Sequence, residues 1–254
     1  NKINDMKIKC GIDLGTTNSG IACIKNGESN IVKNDFQKDT TPSCVMFTKK
    51  QGVRIGDQAY NQLSKDKLTA LKNLEKFESN TFVEFKRTMG SDKKYPSTFM
   101  AKEYSSEELS AEVLKNLKSS TQEDFKSVVI TIPAMFNDNQ KAATQRAAEL
   151  AGFSQVELLQ EPIAAAMAYG LDEKVGDGQI LIFDFGGGTF DVCLVKVEDG
   201  IMQVKDTEGD NWLGGKNLDQ AIVDEILISY IKENYKIDSF LNDPDKNKLL
   251  KEAL

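Results

Sequence analysis

The segment Gln179–Val195, QILIFDFGGGTFDVCLV, combines a short apolar run, an aspartate and three consecutive glycines. Its apolar start, Ile180–Phe183, is too short for an ordinary helix and has the length of a buried strand. Asp184 ends that strand, and the glycines at 186–188 separate it from a second predicted strand, Val192–Val197. Glycines in such a turn let the backbone approach a ligand and direct N–H groups toward it, whereas a neighbouring carboxylate needs a cation. The segment therefore predicts a site for a metal–phosphate ligand.

A similar pattern occurs near the N-terminus, in Lys9–Ile24, KCGIDLGTTNSGIACI. An apolar strand ends at Asp13, Gly15 follows two residues later, and hydroxyl side chains precede the next apolar strand, just as Asp184 is followed by Gly186 and Thr189. Two distant copies favour two related subdomains that face each other and grip one nucleotide from both sides. The simpler alternative is two ordinary hairpins with turn-favouring Asp and Gly, which agreement between the copies makes less attractive.

The composition is that of a globular chain with room for two lobes. The chain has 254 residues, of which 40% are apolar and 28% charged, so a large core can form. Its net charge of -7 without a basic block gives no electrostatic footprint for nucleic acid or an anionic membrane. No apolar run is long enough to span a bilayer, and the first residues, NKINDMKIK, lack a signal-peptide core, so Met6 is a candidate native start.

Histidine is absent from the sequence, which excludes His-based triads, His metal sites and His general bases. The four cysteines are Cys10, Cys23, Cys44 and Cys193, and their spacings predict neither a zinc site nor a disulfide framework. We expect the strand cysteines to be free and buried and the protein to be cytoplasmic. Any chemistry is left to carboxylates, lysines, hydroxyls and the backbone.

Strands and helices alternate through the middle of the chain, as in α/β proteins. The predicted elements are helices at 56–63 and 68–77, a hairpin at 95–104, a helix at 105–119 capped by Ser105, a strand at 128–132, a helix from Asn137 or Asp138 to Ala151, a strand at 156–159, an alanine-rich helix to Gly170, and a helix at 221–234 capped by Asn217 or Asp219. Glu161 lies where a strand ends and a helix begins, which is where α/β sheets bind ligands. The alternative for Glu161 is an ordinary surface-loop residue.

Five stretches together resemble the successive signatures of the DnaK-type heat-shock protein 70 chaperones. In chain order they are GIDLGTTNS (11–19), IPAMFNDNQKAAT (132–144), EPIAAAMAYGL (161–171), FDFGGGTFDV (183–192) and GDNWLGGKNLD (209–219). Their order and spacing agree with the family over essentially the whole chain, which is far more specific than one glycine loop.

The resemblance implies an α/β, actin-like ATPase (ribonuclease H-like) fold with two lobes that duplicate a βββαβα core. Residues 1–162 would form lobe I, with an outer subdomain inserted at about 29–104. Residues 163–254 would form an incomplete lobe II, with an inner subdomain at 163–215 and the start of an outer one at 216–254. The family's adenine-stacking residues, interdomain linker and peptide-binding domain have no counterpart in the sequence.

The resemblance also implies a cleft that binds ATP or ADP with Mg²⁺ and K⁺ ions. Asp13, Asp184 and Glu161 would surround the hydrated metal, and Lys86 and Asp191 would act at the attacking water. The phosphate cradle would be Gly15, Thr16, Thr17, Gly186, Gly187, Gly188 and Thr189, and Pro133 would switch between nucleotide states. Implied partners are extended peptides bound by a separate domain, a J-domain co-chaperone and a nucleotide-exchange factor.

The sequence departs from the family's pattern at several positions. Asn18 replaces a usual tyrosine, and Lys141 replaces a usual arginine whose planar fork a lysine does not reproduce. WLGGKNLD replaces the usual HLGGEDFD and introduces Trp212 and Lys216. Two alternative functions stay open, a non-hydrolysing regulatory or binding module and a sugar or acetate kinase of the actin superfamily.

Overall fold

A computed structural model describes residues 8–73, 79–170, 176–235 and 241–253, and within them the chain is mixed α/β with several separate sheets. The strands are β1 Cys10–Asp13, β2 Asn18–Lys25, β3 Glu28–Ile31, β4 Thr41–Pro42, β5 Cys44–Phe47, β6 Val53–Ile55, β7 Thr81–Val83, β8 Tyr95–Ser97, β9 Lys102–Tyr104, β10 Ser127–Ile132, β11 Gln155–Gln160, β12 Gly178–Phe185, β13 Phe190–Glu198 and β14 Ile201–Asp210.

The helices of the described residues are α1 Asp57–Asn73, α2 Ser106–Ser120, α3 Asp138–Leu150, α4 Glu161–Ala168, α5 Gly215–Ala221, α6 Ile228–Asn234 and α7 Pro244–Ala253. A 3₁₀ turn, Phe85–Thr88, follows β7, and a π-helical stretch, Ile222–Leu227, joins α5 to α6. Within the described part of the chain, no helix combines the length and apolarity needed to cross a membrane.

The first sheet has the strand order β11-β10-β1-β2-β3, with β4 paired to β2. β1, β10 and β11 run parallel, whereas β2 is antiparallel to β1. Because the parallel strands end at the same edge, Asp13, Ile132 and Gln160 lie together there, and Glu161 follows at once as the first residue of α4. This edge is the ligand-binding edge of an α/β sheet.

The second sheet is the antiparallel meander β12-β13-β14. Asp184 on β12 pairs with Asp191 on β13, so two carboxylates lie beside the glycine turn that connects the strands. α4 contacts strands of both sheets and thereby lies between them. The arrangement brings the turn after β1 and the turn after β12 to one cleft.

The main core lies under the first sheet and the helices α2 and α3. Apolar residues that alternate along β1 and β10 are buried, as are the stripe of α2 and the alanines of α3. Ser105 and Asn137 cap these two helices with reciprocal capping boxes, as their sequences predict. Burial of this core supplies the rigid support on which the ligand-binding edge is built.

Two helix predictions are corrected by the structure. The two short helices predicted at 56–63 and 68–77 form the one helix α1, and residues 74–77 lie outside the described residues. The helix predicted to start at Ala221 begins at Gly215, because Gly214 precedes it in extended conformation and Asn217 Oδ1 accepts a hydrogen bond from the Gly214 N–H at 3.0 Å.

The prediction that Cys10 and Cys23 are free is wrong. The two residues face each other on β1 and β2 with a Cα–Cα distance of 4.1 Å and form a disulfide. The neighbouring pair is joined by a hydrogen bond from the Ile24 N–H to the Lys9 carbonyl, so Cys10 and Cys23 occupy a closely spaced, non-hydrogen-bonded position of the ladder. The spacing of the two cysteines in the sequence does not reveal this proximity, which follows from the pairing of β1 with β2. Cys193 is free and buried, as expected, and so is Cys44.

Candidate functional site

A cleft of about 460 Å³ lies between the two sheets, and it collects the residues that the sequence singles out. Its lining includes Asp13, Gly15, Thr16, Thr17, Lys86, Glu161, Asp184, Gly186, Gly187, Gly188 and Thr189. Asp191 lies beside the cleft, opposite Asp184 on the second sheet. Residues far apart in sequence are thus brought to one polar cavity.

The turn after β1 is held by two buried serines that the sequence analysis did not single out. The Gly15 N–H donates to Ser19 Oγ at 3.1 Å, and Ser43 Oγ donates to the Gly15 carbonyl at 2.7 Å. The two hydroxyls are also hydrogen-bonded to each other, and the Ser43 N–H donates to the Thr17 carbonyl at 2.8 Å. These bonds fix the turn so that Thr16 and Thr17 line the cleft.

The glycine turn after β12 is held from behind by the start of α5. The N–H groups of Gly215 and Lys216 donate to the carbonyls of Gly186 and Gly187, each at 3.0 Å. Gly214 is pressed against the backbone of Gly187 and Gly188, so a side chain there has no room. The sequence analysis saw a turn at Gly214-Gly215 and missed that it supports the candidate phosphate turn.

The two turns touch each other across the cleft. A Cβ added at Gly187 would meet the Thr17 side chain, and one added at Gly188 would meet the Arg87 guanidinium. Close approach therefore disfavours a side chain at Gly187, whereas at Gly188 the flexible Arg87 side chain would have to move.

Acidic side chains gather at one end of the cleft. Thr131 Oγ1 donates to Asp13 Oδ1 at 2.8 Å and fixes that carboxylate. Desolvation, and next the nearby Asp13, raises the pKa of Asp184, while desolvation and then Asp184 raises the pKa of Asp191. Asp191 is 4% exposed, and its Oδ1 has no hydrogen-bond partner among the described residues. A buried carboxylate without a partner indicates that a cation or water belongs there.

Lys86 and Glu161 form an ion pair at the floor of the cleft. Lys86 Nζ donates to Glu161 Oε1 at 2.8 Å, the two side chains are 8% and 17% exposed, and the ammonium lies 5.7 Å from the centre of the Phe136 ring. Desolvation raises the pKa of Glu161 most, the Lys86 charge opposes that rise, and Asp13 and Asp184 add to it. Four carboxylates face one lysine here, so the site has an excess of negative charge.

A divalent cation fits this excess of charge. Within the described residues, no three Asp, Glu or Cys side chains converge closely enough to ligate one ion directly. Mg²⁺ retains several of its waters and is commonly held by one or two carboxylates together with substrate phosphates. The cluster suits a hydrated magnesium ion that is bound together with a phosphate. The carboxylates of Asp13, Asp184 and Glu161 would contact the water molecules of the ion and not the ion itself.

A larger cavity, of about 730 Å³, lies away from the acidic cluster between β5, β6 and α1. Its lining includes Lys49, Lys50 and Arg54 and the rings of Phe47 and Phe99. We assign the candidate site to the smaller cleft, because the perturbed carboxylates and both glycine turns converge there.

Three of the four positions that depart from the family's pattern lie at the cleft or beside the segment that carries Lys86. Asn18 lines it, and Lys141 lies on α3 with its ammonium 3.5 Å from Asp138. Trp212 and Lys216 contact the Lys86 segment from the second sheet's side, through Arg87 and Glu84. Pro133 is buried directly after β10 and accepts a hydrogen bond from the Phe136 N–H at 3.2 Å.

A family model of the Hsp70 protein family matches residues 9–254 of the chain. The match includes both turns, the Lys86 segment and the acidic cluster, so it agrees with the resemblance drawn from the five sequence motifs. Because it spans nearly the whole chain, the chain belongs to the Hsp70 family.

Proposed function

We propose that this chain binds MgATP and MgADP in the cleft between the two sheets and hydrolyses ATP, and that the nucleotide state controls peptide binding by a separate domain. Hsp70 proteins are chaperones with a nucleotide-binding ATPase domain of actin-like fold, which supports the general part of the proposal. The observation that carries it is the meeting of the two glycine turns, at Thr17 and Gly187, directly beside the acidic cluster and the Lys86–Glu161 pair.

The proposed chemistry needs positioning and charge neutralisation more than a covalent step. Phosphoryl transfer is catalysed mainly by donors and cations aimed at the phosphate oxygens. Magnesium, when bound, neutralises phosphate charge and orients the oxygens. The backbone and hydroxyls of Gly15, Thr16, Thr17 and of Gly186–Thr189 would cradle the phosphates from the two sides.

In this proposal, Lys86 would orient the attacking water. Its ammonium is buried, held by Glu161 and backed by Phe136, so it points into the cleft with little freedom. Asp191, whose pKa is raised by desolvation and by Asp184, would accept a hydrogen bond from the same water. Asp13, Asp184 and Glu161 would hold the hydrated magnesium and neighbouring potassium ions.

The proposal includes the division of the chain and its partners. The first sheet belongs to lobe I (1–162) and the second sheet to the partial lobe II (163–254), and each sheet carries one copy of the Asp-turn-hydroxyl hairpin. Peptide clients, a J-domain co-chaperone and an exchange factor follow from the family, with neither nucleic acid nor membrane as a ligand. The cytoplasmic location stays a prediction, and the Cys10–Cys23 disulfide speaks against a strongly reducing compartment.

The second candidate is a non-hydrolysing regulatory or binding module. It is favoured by two departures from the family's pattern, Asn18, which lines the cleft, and Lys141 on α3. A sugar or acetate kinase is a third candidate, and a comparison of ATP consumption with and without such acceptors separates it from the first two.

Calorimetric titration of MgADP into the chain, followed by single-turnover hydrolysis of radiolabelled ATP, tests the proposal. We expect micromolar affinity that is lost when EDTA removes magnesium, and release of inorganic phosphate. Binding without phosphate release would replace the proposal by the non-hydrolysing module. Absence of binding, in a chain that unfolds cooperatively and is therefore folded, would contradict the proposed site.

A further inference from the structure

The short segment that carries Lys86 is held on both of its sides by residues that lie after β14 and in the turn after β12. Glu84, two residues before Lys86, accepts a hydrogen bond from the Lys216 ammonium. Arg87, directly after Lys86, lies with its guanidinium 5.0 Å from the centre of the Trp212 ring and against Gly188. The lysine is thus bracketed by two contacts that cross the cleft.

Lys216 connects this segment to the glycine turn through a single residue. Its backbone N–H donates to the Gly187 carbonyl at 3.0 Å, while its side chain extends to Glu84. Any shift of the glycine turn therefore moves the atom that holds Glu84. The distance between the turn and Lys86 is set by these bonds and not by packing alone.

The backbone at Glu84 supports a functional reason for the contact. Glu84 has φ of 57° and ψ of 17°, in the left-handed region that non-glycine residues rarely occupy. Such a conformation costs free energy and persists where surrounding contacts over-determine it. Here it directs the carboxylate toward both Lys216 and Arg87, whose Nε lies 3.4 Å from Glu84 Oε2.

Arg87 makes the contact more than a surface ion pair. The Lys216 side chain is 60% exposed, so its pair with Glu84 alone would contribute little in water. The Arg87 side chain is only 10% exposed and lies between Glu84, Gly188 and Trp212, where solvent screens it less. The four residues act as one network in which the buried guanidinium is the centre.

We propose that Glu84, Arg87, Trp212 and Lys216 form an interlock that positions Lys86 at a fixed distance from the Gly186–Gly188 turn. The proposal rests on the proposed hydrolysis, in which Lys86 orients the water that attacks a phosphate cradled by that turn. The four are positioning residues, since they act on the reacting atoms through Lys86 and the turn. They would affect turnover much more than nucleotide affinity.

The test compares Glu84→Gln, Lys216→Met and the double variant in single-turnover hydrolysis and in MgADP calorimetry. We expect each single change to slow hydrolysis at least roughly ten-fold with MgADP affinity within about two-fold, because displacement of Lys86 affects the transition state. The double variant should be no slower than the singles, since both remove the same bond. Lys216→Arg should restore the rate. Additive effects, or unchanged rates, would overturn the proposal.

A second readout does not depend on activity. Trp212 is the sole tryptophan of the chain, so intrinsic fluorescence reports its contact with Arg87. Arg87→Met and Glu84→Gln should change the emission, and amide hydrogen exchange should accelerate at 85–88 and at 186–188. Unchanged emission and exchange would overturn the interlock. If the parent chain does not hydrolyse ATP, the proposed function fails, while fluorescence and exchange still decide on the interlock.

Neutralisation of the exposed pair Lys196–Glu198, 2.7 Å apart on β13, is the matched control. Lys196→Met and Glu198→Gln remove a lysine–glutamate ion pair on β13, away from the cleft. They should leave hydrolysis, Trp212 emission and exchange at 85–88 unchanged. A control that slows hydrolysis as much as Lys216→Met would assign the effect to general loss of charge and contradict the interlock.

Discussion

The two Asp-turn-hydroxyl hairpins have nearly the same sequence pattern and quite different supports. The hairpin of β1 and β2 is cross-linked by the Cys10–Cys23 disulfide, has buried serine hydroxyls behind its turn, and is flanked by the parallel strand β10. The hairpin of β12 and β13 has no cross-link, and backbone N–H groups of α5 hold its turn. Two different scaffolds therefore present one kind of ligand-binding turn.

The two hairpins also differ in exposure: apolar residues around the first turn are buried, and those around the second turn are exposed. Ile12 and Leu14 around the first turn are each 1% exposed, whereas Phe183 and Phe185 around the second are 67% and 49% exposed. The first turn belongs to the main core, and the second depends on hydrogen bonds and on the contacts of Arg87 and Lys216. We infer that the first turn is the more rigid of the two and that the second turn moves relative to it.

The largest expected effect is that of Lys86, which lies across the cleft from the turn after β12. Lys86→Ala should slow hydrolysis by about 100- to 1,000-fold, as for removal of one preorganised donor, with MgADP binding nearly intact. Single-turnover kinetics and calorimetry measure the two quantities, and Lys196→Ala on β13, outside the cleft, is the control. Unchanged turnover would refute the role of Lys86, and equal loss of binding would mean that the cleft no longer forms.

The disulfide should stabilise the first hairpin and leave the second unaffected. Replacement of Cys10 and Cys23 by serine should lower the free energy of unfolding by about 3 kcal/mol, the usual effect of closing a loop of this size. Urea denaturation of the double variant, and of the parent with and without dithiothreitol, measures it. The Cys44→Ala variant should be at least as sensitive to dithiothreitol as the parent, because Cys44 is a free cysteine. A reductant-insensitive parent would contradict the cross-link.

Asp13 and Asp184 occupy equivalent positions in the two hairpins, and both are proposed to hold the hydrated magnesium ion. Asp184→Asn should weaken magnesium-dependent MgADP binding by about 10- to 100-fold, as loss of an outer-sphere partner of a metal does, and Asp13→Asn should act similarly. Calorimetry with Mg²⁺ and with EDTA separates the metal-dependent part, and Glu198→Gln is the control. Equal affinity of the parent with and without magnesium would contradict the assignment.

The smallest effect is a pH-dependent difference in stability. Because the pKa of Asp184 is raised, the folded chain keeps the proton of this carboxyl group to higher pH than the unfolded chain does. Ionisation of Asp184 therefore lowers the free energy of unfolding as the pH rises above about 3.9, the pKa of an aspartate in an unfolded chain. Asp184→Asn should therefore be more stable than the parent at neutral pH, by less than about 1 kcal/mol because Asp184 is partly exposed. The gain should vanish toward about pH 4.

Urea denaturation of both chains without nucleotide or magnesium, at several pH values, measures this difference. A gain that grows as the pH falls would contradict the sign of the Asp184 shift. The comparison of the two hairpins would then extend from their supports to their electrostatics.

Several parts of the fold followed from local patterns. The capping box at Ser105, the hairpin at 95–104 and the strand that ends at Asp13 are encoded within a few residues, and the structure has them. Asn137, one of the two predicted caps, caps α3, whereas β12 continues one residue past Asp184, to Phe185. The start of α5 was misplaced, because two consecutive glycines, Gly214 and Gly215, favour a turn by local rules. Gly214 is required there by contact with Gly187 and Gly188, which lie far away in the sequence.

By itself, the sequence determined the chemistry available to this protein: two aspartate-glycine-hydroxyl turns, Lys86, Glu161 and no histidine, in an order that identifies the family. Only the tertiary structure decided which of these groups meet. The Lys86–Glu161 pair, the Cys10–Cys23 bond, the serine support of Gly15 and the Lys216–Glu84 contact all join segments distant in the chain. Local propensities act over a few residues, whereas these contacts depend on strand order and on the approach of the two sheets.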